Sequence, residues 1–468
     1  MWQCKNCEKI WYYPIDKCIF CGEKVKSNEP KEFKVKGISK IFVASSEHKK
    51  IPYFNIILED ENGNLHLKKT FKEYQIGEKF ELGMKQEGNV VALSRVGYSV
   101  VDATQRAIML IGGVDLKPDD KVLIKPNIVI AKSPSTGIVT NPLVVEGIIQ
   151  YLLKKGLPKE NILILEGSLQ GVDSAKAIQK SGFQELCEKY KIKFKNLFDG
   201  EFIKKQIGEK GKEFSVQISK DLLESDLIIN VPVVKTHFQT GVSLGIKNMK
   251  GVINHSSRKN MHKGKLEEQI AYLAQALPKY ITIADGSIGL EGMGPGALGE
   301  PANFGLIIAG RDPVAVDTII CHLTKLKLPK HVKKAAELGV GEADLNKINI
   351  VGEEVEVVQR KFKPADERIS PHSDIDLIDG KPCSGCLNSV WSILYNLKDI
   401  SAEKISIAFG SQLSEDMIGY GKIIAIGDCA INSLKKLGHE VEALRGCPPA
   451  DEQQKEFLKK WLKSSNNF

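Results

Sequence analysis

At 468 residues, with 42% hydrophobic and 26% charged side chains, the chain has the composition of an ordinary soluble globular protein and is long for a single hydrophobic core. Its net charge of +8 comes largely from lysine, and a solvated lysine-rich surface accounts for it without nucleic acid. No apolar run approaches the roughly 18 residues that span a bilayer, and the Met1-Trp-Gln-Cys4 start lacks signal-peptide shape, so a cytoplasmic protein with no membrane partner is expected.

The chain opens on Cys4-Lys-Asn-Cys7, ten residues, then Cys18-Ile-Phe-Cys21, two knuckles at the spacing that tetrahedral Zn²⁺ requires. Residues 1–28 are too few to bury a core and are expected to depend on that metal for their fold. CxxC pairs in a reducing compartment indicate metal or redox chemistry rather than a disulfide framework. From 29 to 96 short strands alternate: Phe33–Ile38, Tyr53–Leu58, a turn at Asn62-Gly63, Leu65–Phe71, Phe80–Leu82 and Val90–Leu93. About five such strands suit a small barrel of the OB type. Ribbon and barrel together, to about Arg95, resemble the family catalogued as domain of unknown function 35. That resemblance implies acyl-CoA handling, or the bridging of a thiolase-like enzyme, with pure assembly as the bland alternative. OB folds also bind nucleic acid, but the basic residues here gather elsewhere than on aromatic-studded strands.

Over 97–362 the pattern becomes α/β. Lys121–Asn127 reads as a buried strand, Pro142–Lys155 as a helix capped by Asn141 and stopped at Gly156, and further strands fall at Asn161–Glu166, Leu227–Val231, Ile281–Ala284 and Gly305–Ala309. Helices are expected near Lys265–Leu277 and Pro313–Leu323. Alternation of this kind predicts a mainly parallel sheet with its ligand crevice beyond the carboxyl ends of the strands. Polar residues recur at those ends: Lys125 and Asn127, then Glu166, Gly167 and Ser168, then Lys235, Thr236 and His237. A glycine-punctuated turn carrying Lys247 and a basic loop with His255, Arg258, Lys259 and His262 follow. Lys125, Asn127, Lys235, Lys247, His255, Arg258 and His262 are therefore expected to bind an anion, while His237, Asp285 and Glu291 are expected to transfer protons. The string Gly294-Pro-Gly296-Ala-Leu-Gly299 fits GxGxxG literally but runs into Glu300-Pro301 instead of a helix, so no dinucleotide fingerprint is read there.

Lys125-Pro-Asn127, Thr140-Asn-Pro142, Pro232-Val-Val-Lys235-Thr-His237, Gly245-Ile-Lys-Asn-Met-Lys-Gly251, Asp285-Gly286, Glu291-Gly-Met-Gly-Pro295 and Asp312-Pro-Val-Ala-Val-Asp317 make this region resemble domain of unknown function 362. It is more distantly similar to the nickel-pincer lactate racemases, in which a histidine precedes the cofactor-holding lysine by ten residues, as His237 precedes Lys247. The racemase Ser-Gly-Gly run is replaced by Ser243-Leu-Gly245, so a covalently held nickel-pincer nucleotide is not expected.

Over 363–468, after a polar linker at 366–379, Cys383-Ser-Gly-Cys386 precedes a helix at 387–397, and Cys429 and Cys447 each follow a strand, at 422–426 and 440–444. Four thiols converging from such places suit a [4Fe–4S] cluster, with zinc as competitor. The Gly446-Cys447-Pro-Pro449 string locally resembles the cluster-binding small subunits of nickel–iron hydrogenases and respiratory complex I. Cys187 and Cys321 are left over and read as buried small apolar residues. The whole predicts a multidomain α/β enzyme containing Zn²⁺ and [4Fe–4S] and acting on a small anionic substrate, carboxylate, phosphate or CoA thioester, with an electron-transfer or thiolase-like partner. A non-catalytic scaffold and a nucleic-acid protein are the alternatives.

Overall fold

Alternation opens the N-terminal sheet: at the start of Phe33–Ile41, Phe33 and Val35 are buried while Lys34 and Lys36 are exposed, the period-2 pattern of a sheet with one face on a core, until the register shifts between Val35 and Gly37. The computed structural model describes 33–42, 53–80 and 89–365 almost continuously, 374–464 with short gaps that include 383–385 and 395–399, and scattered positions before 33. The chain divides into two compact units, Met1–Glu87 with Ile350–Gln359, and Gly88–Asn349 with Arg360–Phe468.

In the first unit, Trp2–Cys4 pairs antiparallel with Ile10–Trp11 on one side and Val25–Ser27 on the other. A four-stranded antiparallel sheet follows in the order Leu65–Thr70, Tyr53–Asp60, Phe33–Ile41, Lys79–Phe80. Phe33, Val35, Phe54, Ile56, Leu58 and Phe80 form its core. The hairpin turns where Gly63, at φ +79, donates its N–H to Asp60 O at 3.0 Å. The strand expected at Val90–Leu93 does not close a barrel here. Asn89–Arg95 pairs antiparallel with Leu306–Gly310 in the second unit, and Val91, Ala92, Leu93 and Ser94 are all buried. A run buried on both faces belongs inside a covered sheet rather than on a barrel wall, where burial alternates.

The large sheet of the second unit runs Lys193–Asn196, Ile162–Glu166, Val122–Lys125, Leu227–Asn230, Ile281–Gly292, Leu306–Gly310, Asn89–Arg95. It is parallel through Ile281–Gly292 and antiparallel beyond. Pro142–Lys154 starts as expected: Asn141 accepts from Leu143 N–H, Pro142 occupies the first turn, and Gly156 at φ +90 follows the end.

A second sheet, wholly parallel, runs Ile375–Gly380, Ile405–Gly410, Lys422–Ile426, Glu442–Leu444. Its first strand lies where a linker was expected, because a short strand flanked by aspartates has the composition of a loop. Cys386, Trp391, Leu394, Phe409 and Ile424 form the core on this sheet, and Phe238, Met293 and Leu298 of the preceding region pack against it. The cysteine-bearing region therefore shares one compact unit with the large sheet. Among the described residues no helix is long and apolar enough to cross a membrane.

Candidate functional site

A cavity of about 220 Å³ lies within the second unit, lined from two directions. The large sheet contributes residues at or just past strand ends: Lys125 and Asn127, Glu166 and Gly167, Lys235 and His237. The parallel cysteine-bearing sheet contributes the carboxyl-end loops of all four strands: Lys381 and Pro382, Gly410 and Ser411, Gly427 to Cys429, and Gly446 to Pro448. Carboxyl ends of parallel strands are where α/β crevices form, and here two such edges serve one space.

The first edge is held by a buried amide relay. Lys235 Nζ donates to Asn127 Oδ1 at 2.6 Å and to Ile138 O at 2.7 Å; Asn127 Nδ2 donates to Asn248 Oδ1 at 2.9 Å, and Asn248 Nδ2 to Asn230 Oδ1 at 2.8 Å. Lys125, fully buried, donates to Glu166 Oε2 at 2.6 Å and to Pro126 O at 2.7 Å. Burial pulls the Lys125 ammonium down and the Glu166 charge opposes it. Lys235 is pulled down to about 7, first by burial and then by the Lys247 charge.

His237 ends its strand, and the chain returns antiparallel through Gly241–Ser243 before entering the short helix Gly245–Asn248 that carries Lys247. The N–H of Gln239 donates to His237 Nδ1 at 3.1 Å, which leaves the ring proton on Nε2. Burial first, then Lys247, Lys235, Lys250 and His262, hold His237 well below the ordinary imidazole value, so the ring is neutral. Lys247 is likewise pulled well down by burial and by Lys250, and its hydrogen bond is a long one, 3.5 Å to Ser243 Oγ. Lys250 Nζ meets His262 Nε2 at 2.5 Å.

Not every expected site residue is available to a ligand. Arg258 lines the cavity, yet its guanidinium donates to the carbonyls of Ile253, Gly167, Ser168 and Gly251, tying the segments 167–168 and 251–253 together beside the Phe198 ring. His255 lies stacked on that same ring at 3.6 Å between centroids. Asp285 and Glu291 do not line the cavity. Asp285 accepts from Asn141 N–H at 2.7 Å and from both the N–H and hydroxyl of Ser287, while Glu291 pairs with Arg360 at 2.8 Å and accepts from Lys363 N–H at 3.0 Å. Both carboxylates hold loops, and of the three residues expected to transfer protons only His237 lines the cavity. Lys250, Lys259, Glu166 and Ser243 line it without having been singled out as site residues, although the first two stand in the basic stretch that drew attention to their neighbours.

On the second edge, Cys386, Cys429 and Cys447 all line the cavity, and Cys383 lies outside the described residues. Cys429 sits in the first turn of the helix Asp428–Lys436, directly after Asp428, whose N–H donates to Gly446 O at 2.9 Å. Gly427, at φ +93, has the Cys386 sulfur 2.8 Å from where a Cβ would stand, so only glycine leaves that sulfur its place. Lys259 is held above its ordinary value by the Cys447 thiolate beside it, and then by Cys429. Among the described residues no three His, Cys, Asp or Glu side chains form a group spaced to hold a single metal ion. Of the N-terminal set, Cys7 and Cys18 lie outside the described residues, Cys4 is described in its backbone strand, and Cys21 is exposed.

Residues 122–322 match the family described as "Domain of unknown function (DUF362)". The central α/β region is therefore DUF362-like. The thylakoid-associated protein sll1697 of Synechocystis sp. is 28% identical over 219 residues, which is 45% of this chain and 65% of that protein, so the chain spans just under two thirds of this relative. Two solved structures are similar at low identity. A Thermotoga maritima protein matches with TM-score 0.32 and 16% identity over 51% of this chain and 57% of its own. The lactate racemase apoprotein from Thermoanaerobacterium thermosaccharolyticum matches with TM-score 0.35 and 14% identity over 82% and 84%.

Proposed function

We propose that this protein is an iron–sulfur enzyme that binds a small anionic substrate in the cationic cavity, with His237 as its proton-transfer group. One observation supports this above the others: Cys386, Cys429 and Cys447 open onto the same cavity as Lys235, His237 and Lys247. Cys383, Cys386, Cys429 and Cys447 would hold the cluster. The residues present fit it in three respects: Cys429 and Cys447 closely follow the ends of adjacent parallel strands, Gly427 leaves room beside Cys386, and Lys259 faces Cys447 and Cys429 as a counter-charge. A bound [4Fe–4S] cluster would supply one-electron transfer or Lewis acidity beside the substrate.

The chain's own groups do the rest. Lys247 and Lys235 neutralise the anion, the neutral His237 ring presents an Nε2–H that can donate or exchange a proton, and the Asn127–Asn248–Asn230 relay fixes Lys235. Cys4, Cys7, Cys18 and Cys21 would hold Zn²⁺ in the N-terminal ribbon, which belongs to the proposal as the part that meets an electron-transfer or thiolase-like partner.

The test is the EPR spectrum of protein prepared without oxygen and reduced, recorded alone and with phosphate, acetate or acetyl-CoA. An anion bound beside the cluster shifts the signal, and His237→Ala retains the iron. A spectrum indifferent to all three anions contradicts a substrate site at the cluster.

A further inference from the structure

The cations of this cavity divide into those with a partner and those without one. Lys125 has Glu166, Lys235 has two oxygen acceptors, Arg258 has four carbonyls and Lys259 has the Cys447 sulfur. Lys247 has one 3.5 Å bond to a hydroxyl and no ion pair among the described residues. His237 Nε2–H and the Lys250–His262 pair line the same space.

We infer that the cavity receives a doubly charged tetrahedral oxyanion, a phosphoryl group of the substrate, on Lys247, His237 Nε2 and the Lys250–His262 pair, and that its arrival draws protons into the cavity. This rests on the reading of the cavity as a substrate site, but not on the cluster. The groups facing Lys247 and His237 are almost all cationic. Lys235 comes from the strand that His237 ends, Lys250 from the turn after Lys247, and His262 from the helix His255–Lys263. The carboxylates nearby are already engaged: Glu166 by Lys125, Asp317 by the N–H groups of Gly245 and Ile246 beneath Lys247, and Glu267 by His331, whose ring also feels Lys247.

Each titrating group here is depressed by burial and then by the others, so the empty cavity sheds protons that a dianion would restore. A single carboxylate brings one charge to two lysines and two imidazoles, whereas a phosphoryl dianion brings two and accepts hydrogen bonds from several directions at once. The sign follows from linkage. Anion affinity falls as pH rises, because Lys247, His237 and His262 are all pulled down in the empty cavity, by about tenfold per pH unit for each proton taken up.

Sulfate is the probe for proton counting, because it is a tetrahedral dianion that does not itself titrate near neutrality. Calorimetric titration of the intact holoprotein with sulfate, in two buffers of different ionisation enthalpy at pH 8, is expected to show net proton uptake, with sulfate and phosphate binding at least about tenfold more tightly than acetate. Lys247→Met loses that preference with iron content unchanged. Lys247→Arg, which keeps the charge but cannot titrate, retains sulfate binding with a smaller proton count. Acetate binding as tightly as sulfate, or sulfate binding with no proton uptake, overturns the inference. Failure of the proposed function is separately visible: protein free of iron that still binds sulfate with proton uptake refutes the cluster and leaves this inference standing.

Discussion

Gly427 and Lys259 are the residues through which the cysteine edge of the cavity is most exposed to test. Alanine at Gly427 would carry its Cβ to within 2.8 Å of the Cys386 sulfur and place an L side chain at φ +93. Gly427→Ala should therefore cost about 1–3 kcal/mol in denaturant unfolding and lower the iron bound per chain. Full iron with unchanged stability would show that the sulfur does not need that space. Lys259 lies beside Cys447 and Cys429, so its positive charge favours the reduced, more negative state of anything those thiolates hold. Lys259→Met is expected to move the midpoint potential to more negative values in a redox titration, and an unmoved potential would detach this lysine from the metal. Residue by residue, the sequence told cations from apolar positions but not a ligand-facing carboxylate from one that braces a loop. Asp285 and Glu291 follow strand residues much as Glu166 does, and only their partners Asn141, Ser287, Arg360 and Lys363 reveal what they hold.

At the scale of elements, the short helix Gly245–Asn248 depends on a neighbour far along the chain. Asp317, in the helix Pro313–Thr324, accepts from Gly245 N–H at 2.7 Å and Ile246 N–H at 3.0 Å, and burial pushes its carboxyl up to about 7. Asp317→Asn keeps one acceptor and should destabilise the fold by about 1–2 kcal/mol while weakening sulfate binding through a displaced Lys247. The pH dependence has a definite sign. With its folded value raised above the ordinary 3.8, Asp317 binds its proton more tightly in the folded state, so its contribution is full in acid and is lost as pH rises through about 7. Urea unfolding at pH 5 and pH 8 should show the wild type losing more stability between those values than Asp317→Asn, and equal losses would assign the titration elsewhere. The capped helix Pro142–Lys154 and the buried strand Val122–Lys125 were legible because local chemistry marks their ends. Asn89–Arg95 was legible as a strand but not by its sheet, since strand pairing is decided by a partner at Leu306–Gly310 that no local pattern names. The strand Ile375–Gly380 escaped notice because it is short and ends in Asp-Gly, a turn signature.

On the scale of the whole molecule, two sheets separated in sequence turn their carboxyl edges to one cavity, the first bringing lysines and histidines and the second thiols. The chain order announced each set of residues, and its DUF362-like region carries the first of them. That the two would face each other was not written in either segment, because the contact runs through Phe238, Met293 and Leu298 packing on the core around Trp391. The measurement that bears most directly on this arrangement is iron and acid-labile sulfide content, with an EPR spectrum, on protein prepared without oxygen. About four irons and four sulfides per chain are expected, with a signal lost in Cys429→Ser and Cys447→Ser. A colourless protein whose only metal is zinc would contradict the iron–sulfur reading.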